Sequence, residues 1–562
     1  MKNGLTTLDI AVFVIYFVIV SVYGYSIYRK RKKDEHDAKA YFLAEGTLTW
    51  WAIGASLIAS NISAEQFIGM SGEGFFLGIA VAAYEWLAAV ALIIVAVWFI
   101  PVYLKNHIYT MPQFLKTRYN ESVALIMAVF WLFLYVFVNL TSILYLGAVA
   151  INGLAGGGYM HIIMLGLAIF ALLISLGGMK VVAYTDVIQV AVLIVGGLVT
   201  SYIALTVVGD NYTGVGSGAI AGFKALLHNA PEHFKMIIPR PTASSTQNEV
   251  NKYLTFPGLA SYAAGIWIIN LNYWGCNQYI TQRALGADLQ TARTGILFAA
   301  FLKLMMPIIV MLPGIAAFVL YKDGHLPQLV GGKDGAYSAV LTFLPTGLKG
   351  LSVAALTAAI VASLAGKVNS ISTIYTLDVH KKYFGKQADE KKLVYTGRAA
   401  VFVAMILAVI FTWNDILGIG GVGGFTYIQK YTGFISPGVF AMFFLGMFWK
   451  RTTGLAAIVG VILGFVLSVF FNEFAPAVMG HENILYTAYP NGNGGYEIPF
   501  HICMGLSFLF TMIVMIAISL GGPKVNAKAF ELDTEMFKVR PQTLALIVVI
   551  LLLIAALYVK FW

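Results

Sequence analysis

Residues 54–72 read Gly-Ala-Ser-Leu-Ile-Ala-Ser-Asn-Ile-Ser-Ala-Glu-Gln-Phe-Ile-Gly-Met-Ser-Gly, which places polar side chains in the middle of an apolar segment. Serine and asparagine compete with the backbone hydrogen bonds of a helix, and charged or amide side chains are costly inside a membrane. A second polar run, Asn270–Gln278, lies within another apolar segment. Two interrupted helices, each at the start of a five-helix block, are typical of inverted-repeat membrane transporters.

The composition places most of the chain in lipid. Of its 562 residues, 59% are hydrophobic and 11% are charged, and the mean hydropathy is +0.81. Repeated apolar runs of about 20 residues match a hydrocarbon core about 30 Å thick. The net charge of +10 is explained by basic cytoplasmic loops. We therefore expect membrane lipid, and no nucleic acid, as a partner.

The apolar runs predict an all-α membrane protein of fourteen transmembrane helices. With the N-terminus outside, most of the 36 lysines and arginines fall in inner loops, which favours an even number of helices and both termini outside. A short amphipathic helix is predicted at 219–227, in the longest outer loop. The predicted spans are 8–28, 50–70, 75–104, 121–151, 160–178, 182–207, 256–282, 295–322, 347–376, 397–413, 424–448, 452–472, 499–520 and 541–560.

These spans predict a single transporter domain over residues 1–562. An extra N-terminal helix at 8–28 precedes the first inverted repeat at 50–207, the second repeat covers 256–448, and additional helices cover 452–562. The sequence contains no Gly-x-x-x-x-Gly-Lys-Ser/Thr loop, which argues against ATP as the energy source. The nine histidines are scattered and form no metal-ligand motif. We therefore expect a secondary transporter, with no organic cofactor, and not an enzyme.

Polar and aromatic residues within the predicted helices have the chemistry of a sugar site. Sugar hydroxyls both donate and accept hydrogen bonds, so such a site needs carboxylate or amide acceptors beside ammonium or amide donors. Aromatic rings offer a surface for the apolar face of the sugar. The alternative is that these residues only join helices, as polar residues do in many bundles. The polar candidates are Gln66, Glu85, Asn270 and Lys303, and the aromatic ones are Tyr84, Tyr273 and Trp274.

At these residues the chain resembles the sodium/solute symporter family, and within it the sodium/glucose cotransporter branch. The likeness is strongest between about residues 41 and 450. It rests on the 54–72 motif and on four others: Thr185-Asp-Val-Ile-Gln189, Tyr273-Trp-Gly-Cys-Asn-Gln-Tyr279, Ala354–Asp378 and Tyr427-Ile-Gln-Lys-Tyr-Thr-Gly433.

The resemblance implies a LeuT-type core of two inverted five-helix repeats with flanking helices, in a bacterial inner membrane. It also implies alternating access and sodium as the coupling ion. The implied sugar ligands are Gln66, Glu85, Asn270, Lys303 and Gln429, with Tyr273 stacking under the sugar as the inner gate beside Trp274. The implied outer gate is Met70, Tyr84 and Phe425. The implied sodium ligands are the carbonyls of Ala59, Ile62 and Ala359 and the hydroxyl of Ser363.

The sequence allows two interpretations of how transport is coupled to a cation. Ala362 stands where most of the branch has the first serine of a Ser-Ser pair, and Lys367 follows Ser363 by four residues, on the same helix face. Lys367 could pair with Asp186 in the inner cavity, or its ammonium could enter the cation pocket and replace sodium. We predict sodium coupling, with weaker sodium affinity than a site that holds both hydroxyls.

Other functions stay open at this point. A membrane sensor on the same fold usually carries an added cytoplasmic signalling domain, and we expect none beyond Trp562, which favours transport. Transport could also be sodium-independent or proton-coupled. The solute could be inositol, sialic acid or another small polar molecule, although a carboxylate substrate would call for a cation where Glu85 stands. The sequence does not say which sugar is carried, in what ratio to sodium, or whether the protein forms a homo-oligomer.

Overall fold

The computed structural model describes residues 5–31, 49–63, 65–108, 110–175, 179–212, 216–326, 329, 331–386 and 389–562. Within these ranges the protein is built from helices, with one two-stranded hairpin. In that hairpin β1 (Tyr489–Pro490) pairs antiparallel with β2 (Tyr496–Glu497), and Tyr489 lies opposite Glu497. The Gly- and Asn-rich residues 491–495 form the connection, and both residue types favour turns.

The first half of the chain contains α1 Thr7–Arg31, α2 Trp50–Asn61, α3 Ser71–Leu77, α4 Ala82–Ile94, α5 Ile100–Lys105, α6 Met111–Arg118, α7 Glu121–Phe133, α8 Thr141–Leu154, α9 Met160–Ser175, α10 Met179–Asn211, α11 Ala219–Asn229, α12 Gln247–Thr255, α13 Gly258–Ala263, α14 Gly265–Cys276 and α15 Gln278–Leu285. The second half contains α16 Leu289–Lys322, α17 Ala336–Leu341, α18 Leu348–Thr373, α19 Lys381–Tyr383, α20 Glu390–Thr412, α21 Ile419–Val422, α22 Gly424–Phe448, α23 Gly454–Val469, α24 Ala475–Met479, α25 Phe500–Leu520 and α26 Pro541–Phe561.

Shorter helical segments of other types join several of these α-helices. Wider π-helical turns occur within long helices, where they shift the register of the side chains. The π-helical segments are Glu65–Met70, Val95–Phe99, Leu134–Leu140, Ile374–His380 and Phe470–Phe474. The 3₁₀ segments are Gly78–Val81, Pro231–Phe234, Gly332–Gly335 and Thr534–Phe537.

Within the described residues, ten helical spans are long and apolar enough to cross a membrane. An eleventh is obtained if Gln247–Ala263 and Gly265–Cys276, which are bent by 78° at their junction, count as one span. Two further apolar helices, over residues 7–20 and 160–175, are shorter. The chain is thus a multi-pass membrane protein, but the predicted number of fourteen spans is not confirmed.

Several predicted helix ends agree with the structure, while the region after the first interruption differs. The span predicted at 424–448 is α22, and the amphipathic helix predicted at 219–227 is α11. The helix expected to end at residue 70 continues instead to Leu77. Its end is set by Gly78, which has a φ of +78° and lies so close to His233 that a Cβ there would meet the His233 carbonyl oxygen at 2.3 Å.

The chain forms two compact units: the first comprises residues 1–82, 132–235 and 302–428, and the second 83–131, 236–301 and 429–562. Helix α18 forms the core of the first unit. In the most apolar part of its membrane span, 94% of the residues are buried. It packs against α1, α9, α10 and α20. Small residues permit close packing of helices. Helix α8 also approaches α18 closely, because a Cβ at Gly147 on α8 would lie only 2.9 Å from the Ile360 side chain.

Helix α1 is attached to the start of α18 by a buried carboxylate. Asp9 Oδ1 accepts hydrogen bonds from the backbone N–H of Gly347 at 2.7 Å and of Gly350 at 3.0 Å. These groups lie at the N-terminus of α18, where backbone N–H groups have no partner within the helix and the helix dipole favours a negative charge. In the second unit, α25 packs against α23 and α14.

Candidate transport site

The first interrupted helix ends where the sequence predicts it. Helix α2 ends at Asn61, Ile62 is extended with φ −77° and ψ 107°, and helical structure resumes at Glu65. The Ile62 N–H donates to the Ile58 carbonyl at 2.7 Å. The last carbonyl groups of a helix have no partner within it, and the C-terminal end of the helix dipole favours a cation. The oxygens of Ala59 and Ile62 therefore lie at an end suited to a cation.

Ser363 faces this broken end from α18. It is fully buried, and its Oγ donates to the Ile62 carbonyl oxygen at 3.4 Å. Ala359 lies one turn earlier on the same face of α18, and both Ala359 and Ala59 are buried. Carbonyl and hydroxyl oxygens are the ligands that hard cations such as sodium prefer, so the residues present fit a sodium ion. Ala362 adds no side-chain oxygen to this set.

Lys367 lies one turn further along α18 and forms an ion pair. Its Nζ is 3.3 Å from Glu65 Oε1, and the two side chains are 4% and 12% exposed. The side chain of Asp186, the partner considered from the sequence, lies outside the described residues. Sequence reasoning did not single out Glu65 as a partner. One signal was available: Glu65 follows directly after a helix break inside an apolar segment. A carboxylate in such a place needs a positive charge nearby.

Gln66 and Lys303 both lie in the first unit. Gln66 is 4% exposed, and its Oε1 is buried with no hydrogen-bond partner among the residues that the structure describes. A buried acceptor left unpaired costs about 1–3 kcal/mol, so this oxygen is suited to a ligand hydroxyl. Lys303, which is 1% exposed, donates from Nζ to Asn61 Oδ1. Asn61 thus joins Lys303 on α16 to the end of α2, a contact that sequence reasoning missed.

Two of the three predicted outer-gate residues also belong to the first unit. Met70 ends the π-helical segment Glu65–Met70, Phe425 is the second residue of α22, and both are buried. A Cβ at Gly69 would lie 2.7 Å from Phe425 Cβ, so the π-helical segment packs directly on the start of α22. The structure therefore brings the main chain next to Met70 into contact with Phe425.

The third predicted gate residue, Tyr84, is held by a hydrogen-bonded chain in the second unit. Its hydroxyl lies 2.7 Å from His501 Nε2, and His501 Nδ1 lies 2.8 Å from Ser261 Oγ. His501 is completely buried and the Tyr84 ring is 7% exposed. Glu85 follows Tyr84 in α4 and is 2% exposed. No signal in the sequence points to His501 as a partner, because 417 positions separate it from Tyr84.

The second interrupted helix breaks once within the predicted polar run and once before it. Helix α14 runs without a break through Asn270, and the interruptions fall at Ala264 before it and at Asn277 after it. The structure thus interrupts the predicted run near its end, at Asn277, and leaves Asn270 inside a continuous helix. Asn270 donates from Nδ2 to the Ile266 carbonyl at 3.0 Å, a bond within the same helix that satisfies this amide without breaking the turn.

The remaining predicted site residues are aromatic or amide side chains of the second unit. The rings of Tyr273 and Trp274 meet edge to face with centroids 5.1 Å apart; Tyr273 is half-buried and Trp274 is buried. Gln429 lies in α22 and is half-buried. Among the described residues, no group of three or more His, Cys, Asp or Glu side chains could hold a metal ion.

Comparison with known proteins then decides the family. The family model described as the sodium:solute symporter family matches residues 41–464, which is most of the chain. The chain belongs to the sodium:solute symporter family. It is 42% identical over 579 residues to the sodium/glucose cotransporter of Vibrio parahaemolyticus, and the match covers 100% of this chain and 99% of that protein.

The chain also resembles a more distant relative and one solved structure. The chain is 36% identical over 490 residues to the human sodium/myo-inositol cotransporter 2, across 83% of this chain and 70% of that protein. The solved structure of a Na⁺-coupled sialic acid symporter superposes with a TM-score of 0.74 at 19% identity, and the match covers 93% of this chain and 99% of that one. This match confirms the LeuT-type all-α fold that the sequence predicts.

Proposed function

We propose that this protein is a sodium-coupled symporter that carries a hexose, such as galactose or glucose, by alternating access. The proposal is supported by the family and by the full-length relative from Vibrio parahaemolyticus, which is named a sodium/glucose cotransporter. The myo-inositol cotransporters match less of the chain at lower identity. Inositol is therefore the second candidate solute.

The observation that carries the proposal is the contact between Ser363 and the broken end of α2. The Ser363 hydroxyl lies 3.4 Å from the Ile62 carbonyl oxygen, in a buried place with no charged ligand in the proposed set. Sodium bound there by the carbonyls of Ala59, Ile62 and Ala359 and by this hydroxyl would bridge α2 and α18. Because the ion would add ligand bonds between the two helices that are absent without it, ion binding can favour one conformation over another.

The proposed sugar ligands are the residues predicted from the sequence. Oxygens of Gln66 and Glu85 accept from sugar hydroxyls, while Lys303 and the amides of Asn270 and Gln429 donate. Tyr273 stacks against the sugar ring as the inner gate beside Trp274. Met70, Tyr84 and Phe425 form the outer gate. The Oε1 of Gln66 is buried and has no hydrogen-bond partner among the described residues, which supports its role as a ligand.

The architecture proposed for transport has two inverted repeats, over residues 50–207 and 256–448. Flanking helices lie at 8–28 and 452–562. A bacterial inner membrane, with both termini outside, suits the distribution of basic residues along the loops. The N-terminal flanking helix is attached to the helix that carries Ser363, because Asp9 accepts hydrogen bonds from Gly347 and Gly350.

The test is binding of radiolabelled galactose to purified protein in sodium buffer. Glu85→Ala removes a charge-assisted hydrogen bond worth about 1.5–3 kcal/mol, so we expect at least about a tenfold loss of affinity. Gln66→Ala removes a neutral acceptor and should lose less. The matched control is Asn472→Ala, since Asn472 is a buried amide that bonds only to Ser468 of its own helix turn among the described contacts.

Competition with unlabelled solutes separates the candidates. Glucose or galactose should displace the label, whereas myo-inositol and sialic acid should not at the same concentration. Displacement by myo-inositol alone would replace the hexose with inositol. Unchanged galactose binding in Glu85→Ala would contradict the assignment of the sugar site.

A further inference from the structure

A buried group of charged residues surrounds the start of α22, apart from the proposed sugar and sodium ligands. Glu73 on α3 and Asp334 in the 3₁₀ segment Gly332–Gly335 are 1% and 3% exposed. Lys333 Nζ lies 2.6 Å from Glu73 Oε1. Glu73 Oε1 also accepts from the Thr426 hydroxyl at 2.5 Å, and Asp334 Oδ2 accepts from the Gly424 N–H at 2.8 Å. The two carboxylates thus hold the residues on either side of Phe425.

The group lacks one positive charge and has two unused acceptor atoms. Glu73 Oε2 and Asp334 Oδ1 are both buried without a hydrogen-bond partner among the described residues. Within the part of the chain that the structure describes, these two carboxylates face one ammonium, that of Lys333, so one negative charge of the group is left uncompensated there. Burying such a charge is costly, and the usual outcome is that the carboxyl group takes up a proton or a cation.

The space around Asp334 favours a proton over a metal cation. A Cβ on Gly72 would lie 2.9 Å from both Asp334 Oδ1 and the Lys333 carbonyl oxygen, so the main chain of α3 occupies the space beside the unused oxygen. A metal cation needs several oxygen ligands around it. The Lys333 ammonium, which also lies 5.0 Å from the centre of the Phe76 ring, would repel a second cation. A proton needs neither ligands nor space.

The charges around Asp334 place its titration close to neutral pH. Burial raises the pKa of Asp334 to about 6, the Glu73 carboxylate adds to this rise, and Lys333 and the Gly424 N–H oppose it. The Tyr145 hydroxyl on α8 is the other titratable group that interacts with it. Asp334 is therefore mostly ionised at neutral pH and takes up a proton as the pH falls through about 6.

We propose that Asp334 is a proton-binding site that controls how firmly the Phe425 gate is held. Ionised Asp334 makes a charge-assisted hydrogen bond to Gly424, which is roughly twice as strong as the neutral bond that follows protonation. Protonation therefore loosens residues 424–426. The gating consequence rests on the proposed function, in which Phe425 covers the sugar from outside; we expect the KM for sugar to rise as the pH falls through about 6.

Infrared spectroscopy of the purified protein in lipid nanodiscs tests the proton site without requiring transport. A pH titration should show a protonated-carboxyl band with a midpoint near pH 6, and Asp334→Asn should abolish it. The matched control is Asp323→Asn, which removes an exposed carboxylate in the same loop and should leave the band unchanged. A band that persists with the same midpoint in Asp334→Asn would overturn the proposal.

Two further measurements keep the test decisive. Glu73→Gln removes the neighbouring charge that raises the pKa of Asp334, so the midpoint should fall even if Asp334→Asn does not fold; an unchanged midpoint counts against the proposal. The midpoint should also be the same in sodium and choline, and a shift in sodium would assign the site to a metal cation. A normal titration in a protein that transports no sugar would overturn the proposed function but not the proton site.

Discussion

Replacing Lys367 with methionine tests how the charges next to the proposed sodium site are balanced. The Lys367–Glu65 pair is 3.3 Å long, with side chains 4% and 12% exposed. Removing one member of a buried ion pair leaves the other charge unpaired and costs about 3–5 kcal/mol. We therefore expect Lys367→Met to lower the thermal stability strongly and to reduce uptake. Lys382→Met is the control, because its pair with Asp378 is 3.4 Å long and its side chains are more exposed, at 26% and 16%; water weakens such a pair, so the loss of stability should be smaller.

The double variant Lys367→Met/Glu65→Gln distinguishes the two interpretations of Lys367. With both charges gone, no unpaired carboxylate is left, so we expect more than half of the lost stability to return, as measured by thermal unfolding in detergent. Sodium-dependent sugar uptake into proteoliposomes should return with it, since sodium rather than the ammonium fills the cation site. A double variant that is stable but transports no sugar would refute this reasoning and identify Lys367 as the built-in charge.

Three further sets of substitutions address the gates and the ion site. Tyr273→Phe should keep most sugar uptake because the stacking face survives, whereas Tyr273→Ala should lose it; equal loss in both would assign the role to the hydroxyl. His501→Leu should raise the KM for sugar, and in a Tyr84→Phe background it should have no further effect, since His501 acts through the tyrosine hydroxyl; additive effects would contradict this. Ser363→Ala should abolish sodium-driven uptake, while Ala362→Ser should lower the sodium concentration for half-maximal uptake, and an unchanged sodium requirement in either variant would remove that residue from the ion site.

The fold could be predicted from the sequence where a local property decides it. Hydropathy fixes the long apolar helices, so α22 and α25 agree with their predicted bounds within a residue. Positions of interruption are harder, because they depend on contacts between distant segments. Gly78 ends its helix where the main chain meets His233, and no property of the surrounding sequence marks that encounter. Hydropathy alone also counts shorter apolar helices, such as residues 160–175, as spans, and the predicted total of fourteen stays a prediction.

The candidate site was predictable in its residue types but not in its pairings. The broken end at Ile62 follows from polar residues inside an apolar segment, and Ser363 is within reach of it as expected. The partners of Lys303 and Tyr84, namely Asn61 and His501, lie 242 and 417 positions away in the sequence. Such pairs require the three-dimensional fold, because spacing along one helix gives no information about which distant helix packs against it.

Sodium-driven accumulation of radiolabelled galactose in proteoliposomes tests the central claim most directly. With an inward sodium gradient, the internal concentration of the sugar should rise transiently above the external one, and with choline in place of sodium it should at most equilibrate. Collapse of the gradient with a sodium ionophore should remove the accumulation. Equal initial rates of uptake in sodium and choline would contradict sodium coupling.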